Sequence, residues 1–311
     1  MSQNYHSPDG LLILVLSRLS LDTIYRLYGK SSLIRRLTEN QLFWKRLIER
    51  DLKIVPQFKV DYKLHYLRAT GVPIGGKILM EPLPMYEKQP DYRNVVSLLG
   101  NEIYALRDGT VINRGRPVNI PKVERIKQMF VDLVSGQEKL LAYSGNVYNF
   151  RGQLDRLDDW EHGAVAYVGG QAVITVDGRL FKWAPKGYRQ VPLPSKAIYL
   201  RGSFVLTDQG EVYDFNLVTG EMTHPKRSGV NWIWGGFSGR FPLMIDNNET
   251  FLETDREYPR LVDGPAIGLG RYGYINSHLK FISMTMFNLG KLPNKSILQI
   301  FASDSLREPR R

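Results

Sequence analysis

Apolar residues near the start of the chain recur at helical spacing. Between Pro8 and Leu52, Leu12, Leu16 and Leu19 fall on one predicted helical face, with Leu11 and Val15 beside them. Ser20 and Asp22 can cap a second short helix that carries Ile24 and Leu27, and Gly29 can end it. A third helix is predicted from Ser31 or Ser32, with Leu33, Ile34 and Leu37. Asn40 offers a cap for a fourth that holds Trp44, Leu47 and Ile48. Tyr62, Leu64, Tyr66 and Leu67 predict one more helix, ending at Gly71. The stretch 72 to 93 then contains Pro73, Gly75, Gly76, Pro82, Pro84 and Pro90, which argue against helix and place a domain boundary near residue 70. A few short helices cannot close a core around so many large apolar groups, so a partner is expected to cover part of this surface.

From about residue 94 the pattern changes to short apolar strands, and the chain repeats itself. Segments 95 to 115, 131 to 152, 164 to 184 and 197 to 217 each read as a strand, a bend, a second strand, a polar turn and a third strand. The turns fall at Asp108-Gly109, Ser144-Gly145, Asp177-Gly178 and Asp208-Gln209-Gly210, so turn glycines recur every 32 to 36 residues. Asp-Gly pairs are strong hairpin signals because glycine accepts the positive φ of a tight turn. Weaker copies occupy 231 to 254 and 266 to 283, and IGGKILMEP at 74 to 82 offers a degenerate seventh. One such repeat cannot bury both its faces, whereas six or seven stacked radially can. The expected fold class is therefore α+β multidomain. A small helical module at 1 to 70 precedes an all-β propeller of six or seven short blades at 71 to 290, with a C-terminal segment and basic tail at 291 to 311.

Composition narrows the functional classes. The 311 residues include no cysteine, which excludes disulfides, thiol catalysis and cysteine-held zinc. The run Leu11 to Leu16 is too short for a membrane span and lacks a signal peptide's basic leader, so the cytosol or nucleus is the expected location. The net charge of +11 invites a polyanionic partner such as nucleic acid. Yet that charge is spread out. Residues 1 to 90 carry 14 Lys+Arg against 8 Asp+Glu, or +6, which leaves +5 for the rest.

The N-terminal residues resemble the F-box. Pro8 followed by Leu11-Leu12, the apolar pair Val15-Leu16, Ser17-x-Leu19-x-Leu21, then Leu37, and Trp44 followed by Lys45-Arg46-Leu47, fit that pattern from Pro8 to Leu47 without a gap. Ser7, Gly10, Lys30-Ser31 and Ile34 depart from it. The resemblance implies docking to a Skp-type adaptor of a cullin ubiquitin ligase through Pro8, Leu11, Leu12, Val15, Leu16, Leu19 and Trp44. QAVITVDGRLFKW at 171 to 183 resembles the core of the regulator-of-chromosome-condensation repeat, whose blades join a Leu-Thr-x-Asp-Gly turn to an apolar-aromatic strand. Together these imply a non-enzymatic recruiting protein with no cofactor and no metal, whose propeller binds an unidentified target protein. The alternative is a structural, chromatin- or assembly-associated protein whose helical module caps the propeller.

Other motifs carry little chemistry. Gly268-Leu-Gly270-Arg-Tyr-Gly273 matches the dinucleotide-binding glycine pattern, but a strand is expected after it where the mechanism needs a helix N-terminus. His6, His65, His162, His224 and His278 show no metal-ligand spacing. Asp158, Asp159 and Glu161 read as a solvated acidic loop. Trp232, Trp234 and Tyr272 are candidates for a partner surface on the propeller, with core packing the competing reading.

Overall fold

The computed structural model describes residues 8–70, 95–99, 103–106, 110–121, 124–132, 134–169, 171–216, 218–223, 227–234, 243–246, 251–253, 256–257, 265–270, 273–277 and 281–283. The expected turn at Asp108-Gly109, the expected repeat at 74 to 82, Tyr272, and His6, His224 and His278 lie outside them.

Among the described residues five helices come first: α1 Pro8–Leu16, α2 Leu21–Tyr28, α3 Ser32–Thr38, α4 Gln41–Asp51 and α5 Tyr62–Thr70. Side-chain caps set their starts as the sequence suggests. Ser20 Oγ accepts from Thr23 N at 3.2 Å, Ser31 Oγ from Ile34 N at 3.4 Å and Asn40 Oδ1 from Leu42 N at 2.9 Å. Their common core gathers Ile13, Leu16, Ile24, Leu37, Phe43, Trp44, Leu47, Ile48, Tyr66 and Leu67. Trp44 donates Nε1–H to Thr38 O at 2.6 Å, which satisfies the indole as it is buried.

Among the described residues six antiparallel sheets of short strands follow and form a propeller-like β domain. Sheet I contains β1 Val95–Leu99, β2 Ile103–Leu106, β3 Val111–Asn113 and β4 Arg116–Val118. Sheet II contains β5 Ile126–Val131, β6 Glu138–Ala142, β7 Val147–Asn149 and β8 Leu154–Asp155. Sheet III contains β9 Val165–Gly169, β10 Ala172–Thr175, β11 Leu180–Ala184 and β12 Gly187–Val191. Sheet IV contains β13 Ala197–Arg201, β14 Phe204–Thr207 and β15 Val212–Asp214, with bridges Val212 to Arg227 and Phe215 to Met222 in place of a fourth strand. Sheet V contains β16 Val230–Trp234, β17 Leu243–Asp246, β18 Phe251–Glu253 and β19 Arg256–Glu257, and sheet VI contains β20 Ala266–Gly270, β21 Gly273–Asn276 and β22 Phe281–Ser283. Strand order within every sheet follows chain order, and the first strands of sheets I to V lie side by side in succession. Gln128 on β5 bridges two of them. Its Nε2 donates to Val168 O on β9 and its Oε1 accepts from Val168 N, an amide standing in for a strand partner.

The sequence reading of three strands per repeat misses the fourth strand of sheets I, II, III and V. These outer strands are short or polar. Arg116-Pro117-Val118 and Leu154-Asp155 carry no period-two signal of their own. The expected turns form where they are described, with Gly145, Gly178 and Gly210 at φ 92°, 87° and 75°. Gly268 and Gly270 lie on β20 and Gly273 on β21, where Gly270 pairs with Gly273, so the glycines of that motif sit on paired strands.

The helical module seats on one end of these sheets. In an antiparallel meander the turns between second and third strands share an end with the starts of the first strands. The segment from Ile54 to Ala69 meets that end. Gln57 N donates to Asp208 O at 2.6 Å, Ile54 lies against the turn at Gly178, and Phe58 lies against Gly210. Arg68 Nε donates to Ala266 O at 2.8 Å. Ile54 belongs to the β-domain core and Ile267 to the helical core, so the two cores interlock.

Candidate docking face of the first helix

Helix α1 reads PDGLLILVL and is apolar nearly all round, so packing decides which side faces inward. Gly10, Ile13 and Leu16 turn inward. Pro8, Leu11, Leu12 and Val15, spaced i, i+3, i+4 and i+7, form the outward stripe. Leu11 is 58% exposed, Leu12 40% and Val15 59%. Leu33 on α3 and Tyr28 at the end of α2 are also exposed, so five of the seven large apolar side chains exposed among the described residues belong to α1, α2 and α3. A concentration of this kind marks an interaction surface more than singly scattered leucines do.

One half-buried and one exposed polar contact help set the stripe's orientation. Arg50 on α4 donates through Nη1 to Ser17 O at 2.6 Å and Leu19 O at 2.7 Å, satisfying carbonyls at the end of α1. Asp9 and Arg36 pair at 3.0 Å and tie α1 to α3. The exposed stripe is therefore presented by a helix held from beneath.

The residues expected to meet an adaptor divide. Pro8, Leu11, Leu12 and Val15 face solvent, whereas Leu16 is in the core, Leu19 is half-buried against it and Trp44 is 4% exposed. The single face expected through Leu12, Leu16 and Leu19 does not form. The helix ends at Leu16, and Arg18 N and Leu19 N already bond to Val15 O and Leu16 O in a tighter turn, so helical phase does not carry to Leu19. Sequence reasoning missed Leu33 and Tyr28 as surface groups. The available signal was Leu33 sharing a helical face with the exposed Arg36.

The partner-surface candidates on the β domain are corrected too. Trp232 and Trp234 are each 2% exposed. Trp232 ends an aromatic row from neighbouring first strands, in which Tyr167 and Tyr199 are 5.1 Å apart and Tyr199 and Trp232 are 4.4 Å apart between centroids. His65 of α5 completes the row edge-on at 5.2 Å from Trp232, and the Arg68 guanidinium lies 5.7 Å over Trp234. These tryptophans are buried where the helical module meets the sheets. His65 Nδ1 is buried without a hydrogen-bond partner, and burial, then Arg68, push its pKa down to about 3.

The acidic loop is structural at its first residue. Lys139 Nζ, 1% exposed, sits 2.9 Å from Asp132, 3.4 Å from Asp158 and 3.6 Å from Asp155, and donates to Arg156 O at 2.5 Å. Hydrogen bonding from Ser135, and then the Lys139 charge, hold the Asp158 carboxyl below its ordinary pKa. Trp160 Nε1 donates to Gly163 O at 2.6 Å, and its ring stands edge-on to those of His162, Phe181 and Tyr188. This cluster ties the loop to sheet III. Among the described residues no group of His, Asp and Glu is placed to hold a metal ion, and no helix is long and apolar enough to cross a membrane.

No family model and no curated protein matches the sequence. Among solved structures the chain is similar to BBS1N, described in complex with ARL6DN in a mercury-soaked crystal. The TM-score is 0.40 at 14% identity, covering 57% of this chain and 72% of that one. The propeller-like description rests on strand order and sheet succession, independently of this likeness.

Proposed function

We propose that the chain is a recruiting adaptor of a Skp–cullin–F-box type ubiquitin ligase. Its F-box-type helical module docks a Skp-type adaptor, and its propeller of regulator-of-chromosome-condensation type, with six or seven blades, holds a target protein. The observation that carries this reading is the outward stripe of Pro8, Leu11, Leu12 and Val15 on a helix whose other side is packed. These positions belong to the F-box-like pattern, and each leucine buried on docking contributes about 1.5–3 kcal/mol. Ubiquitin chemistry belongs to other subunits, and this chain contributes proximity.

The test uses the full chain and purified Skp-type adaptor. Leu11→Asp with Val15→Asp alters only groups 58% and 59% exposed, so the melting temperature is expected to stay within about 3 °C of wild type while adaptor capture is lost. Leu16→Asp is unsuitable because it buries a charge in the core. Undiminished capture by the double variant, or no capture by the wild-type chain, overturns the proposal.

A further inference from the structure

The turns between third and fourth strands lie at the opposite end of the sheets from the helical module, because they share an end with the turns between first and second strands. In three successive sheets that turn places a cation immediately before a glycine of positive φ. The pairs are Arg114-Gly115 at 75°, Arg151-Gly152 at 78° and Lys186-Gly187 at 94°. The turn demands the glycine, but nothing in its geometry demands the cation. Arg114, Arg151, Lys186 and Arg116, which begins β4, are all exposed.

A second observation falls on the same rim. Only two large apolar side chains are exposed among the described residues of the β domain, Leu154 at 70% and Val218 at 86%. Leu154 follows the Arg151-Gly152 turn at the start of β8, and Val218 lies in the third-to-fourth-strand turn of sheet IV, between the bridged residues Phe215 and Met222. The turns also lean on their neighbours. A Cβ on Gly152 would meet Asn119 O of the preceding sheet's exit segment at 1.9 Å, and Lys182 on β11 donates to Val218 O. Sheets III and IV are thereby joined along this rim, and the Arg151-Gly152 turn packs against the segment that leaves β4.

Acidic groups at this end are largely engaged. Asp132, Asp155 and Asp158 surround Lys139, and Asp214 accepts from Ser203 Oγ at 2.7 Å. Glu138, Asp159 and Glu221 remain exposed against the four cations. A phosphodiester backbone would use the cations and leave Leu154 and Val218 without contacts, whereas a protein segment that interleaves carboxylates with apolar side chains uses both.

We propose that this rim, through Arg114, Arg116, Arg151, Lys186, Leu154 and Val218, docks an extended acidic protein segment bearing interspersed apolar residues. The inference deepens the recruiting role above by naming the chemistry of the target and the end of the propeller it meets.

The test measures binding of the full chain to three fluorescent probes at low salt. They are a peptide of about 20 residues alternating Glu with Leu at every third position, an all-Glu peptide of the same length, and a single-stranded DNA of matched charge. The mixed peptide is expected to bind tightest. Arg116→Glu, Arg151→Glu and Lys186→Glu together should weaken it about ten- to a hundredfold, and Leu154→Ser with Val218→Ser about threefold or more, with melting curves unchanged. Leu11→Asp with Val15→Asp should leave peptide binding intact, so undiminished adaptor capture by that variant, or no capture by the wild-type chain, refutes the ligase reading without touching this one. Equal binding by the charge-reversed variant, preference for DNA, or no binding of the mixed peptide overturns the rim proposal.

Discussion

Lys139 and Asp132 show how a charge is made tolerable inside the β domain. Both side chains are at most 1% exposed, and Asp132 also accepts from Val134 N and Asp158 N, so its carboxylate is satisfied from several directions. Lys139→Met leaves that carboxylate buried without its cation and is expected to cost about 3–5 kcal/mol, part of which Asp132→Asn should restore in the same chain. Urea midpoints for the four members of this cycle check it, and a single-variant loss under about 1 kcal/mol would refute the buried pair. His65 makes the converse prediction, for pH. Its folded pKa is lowered to about 3 from 6.5, so below pH 6.5 the unfolded chain takes up a proton that the folded chain refuses. This contribution to stability is complete above about pH 6.5 and is lost as pH falls toward 3, by about 1.4 kcal/mol per unit. His65→Phe keeps an aromatic ring against Trp232 and should flatten that part of the stability profile between pH 7 and 5. An unchanged slope would contradict a neutral buried imidazole. The sequence showed His65 only as one of five scattered histidines. Its partners Trp232 and Arg68 stand 167 and 3 residues away, and only the tertiary fold brings the tryptophan to it.

Elements were legible where a local pattern specified them. Ser20, Ser31 and Asn40 mark helix starts because their short oxygens satisfy orphan N–H groups, and the glycines at 145, 178 and 210 mark hairpins because only they accept the turn's φ cheaply. Other features depended on neighbours in space. The register of each first strand slips at its second residue, between Val95 and Ser97, Ile126 and Gln128, Val165 and Tyr167, Ala197 and Tyr199, Val230 and Trp232, and Ala266 and Gly268. The bulged residues are Val96, Lys127, Ala166, Ile198, Asn231 and Ile267, which share no side-chain chemistry, so the repeat has no signature in composition. Outer strands such as Arg116–Val118 pair along one edge only and need no alternation, which is why the sequence reading stopped at three strands.

At the scale of the whole molecule, the helical module and the β domain share packing. Ala69 touches both cores, and α5 lies against Trp232, Trp234 and Ala266. A chain lacking residues 1 to 70 should therefore melt about 10 °C or more below the full chain, which should itself unfold in one transition by calorimetry. Two separated transitions, with the truncated chain matching the upper one, would show that the contact contributes little. The sequence by itself determined that short capped helices precede a repeating β region, and that one end of the chain carries more apolar surface than so small a module can hide. These follow from local chemistry: oxygen-bearing caps, glycine turns and the periods of side-chain direction. It did not determine which side of α1 stays outside, or that Trp232 and Trp234 are covered. Leu11, Leu12, Ile13, Val15 and Leu16 are equivalent to any measure of hydropathy. Only the positions of α3 and α4 beneath the helix, with Arg50 holding its end, separate the buried Ile13 and Leu16 from the outward stripe.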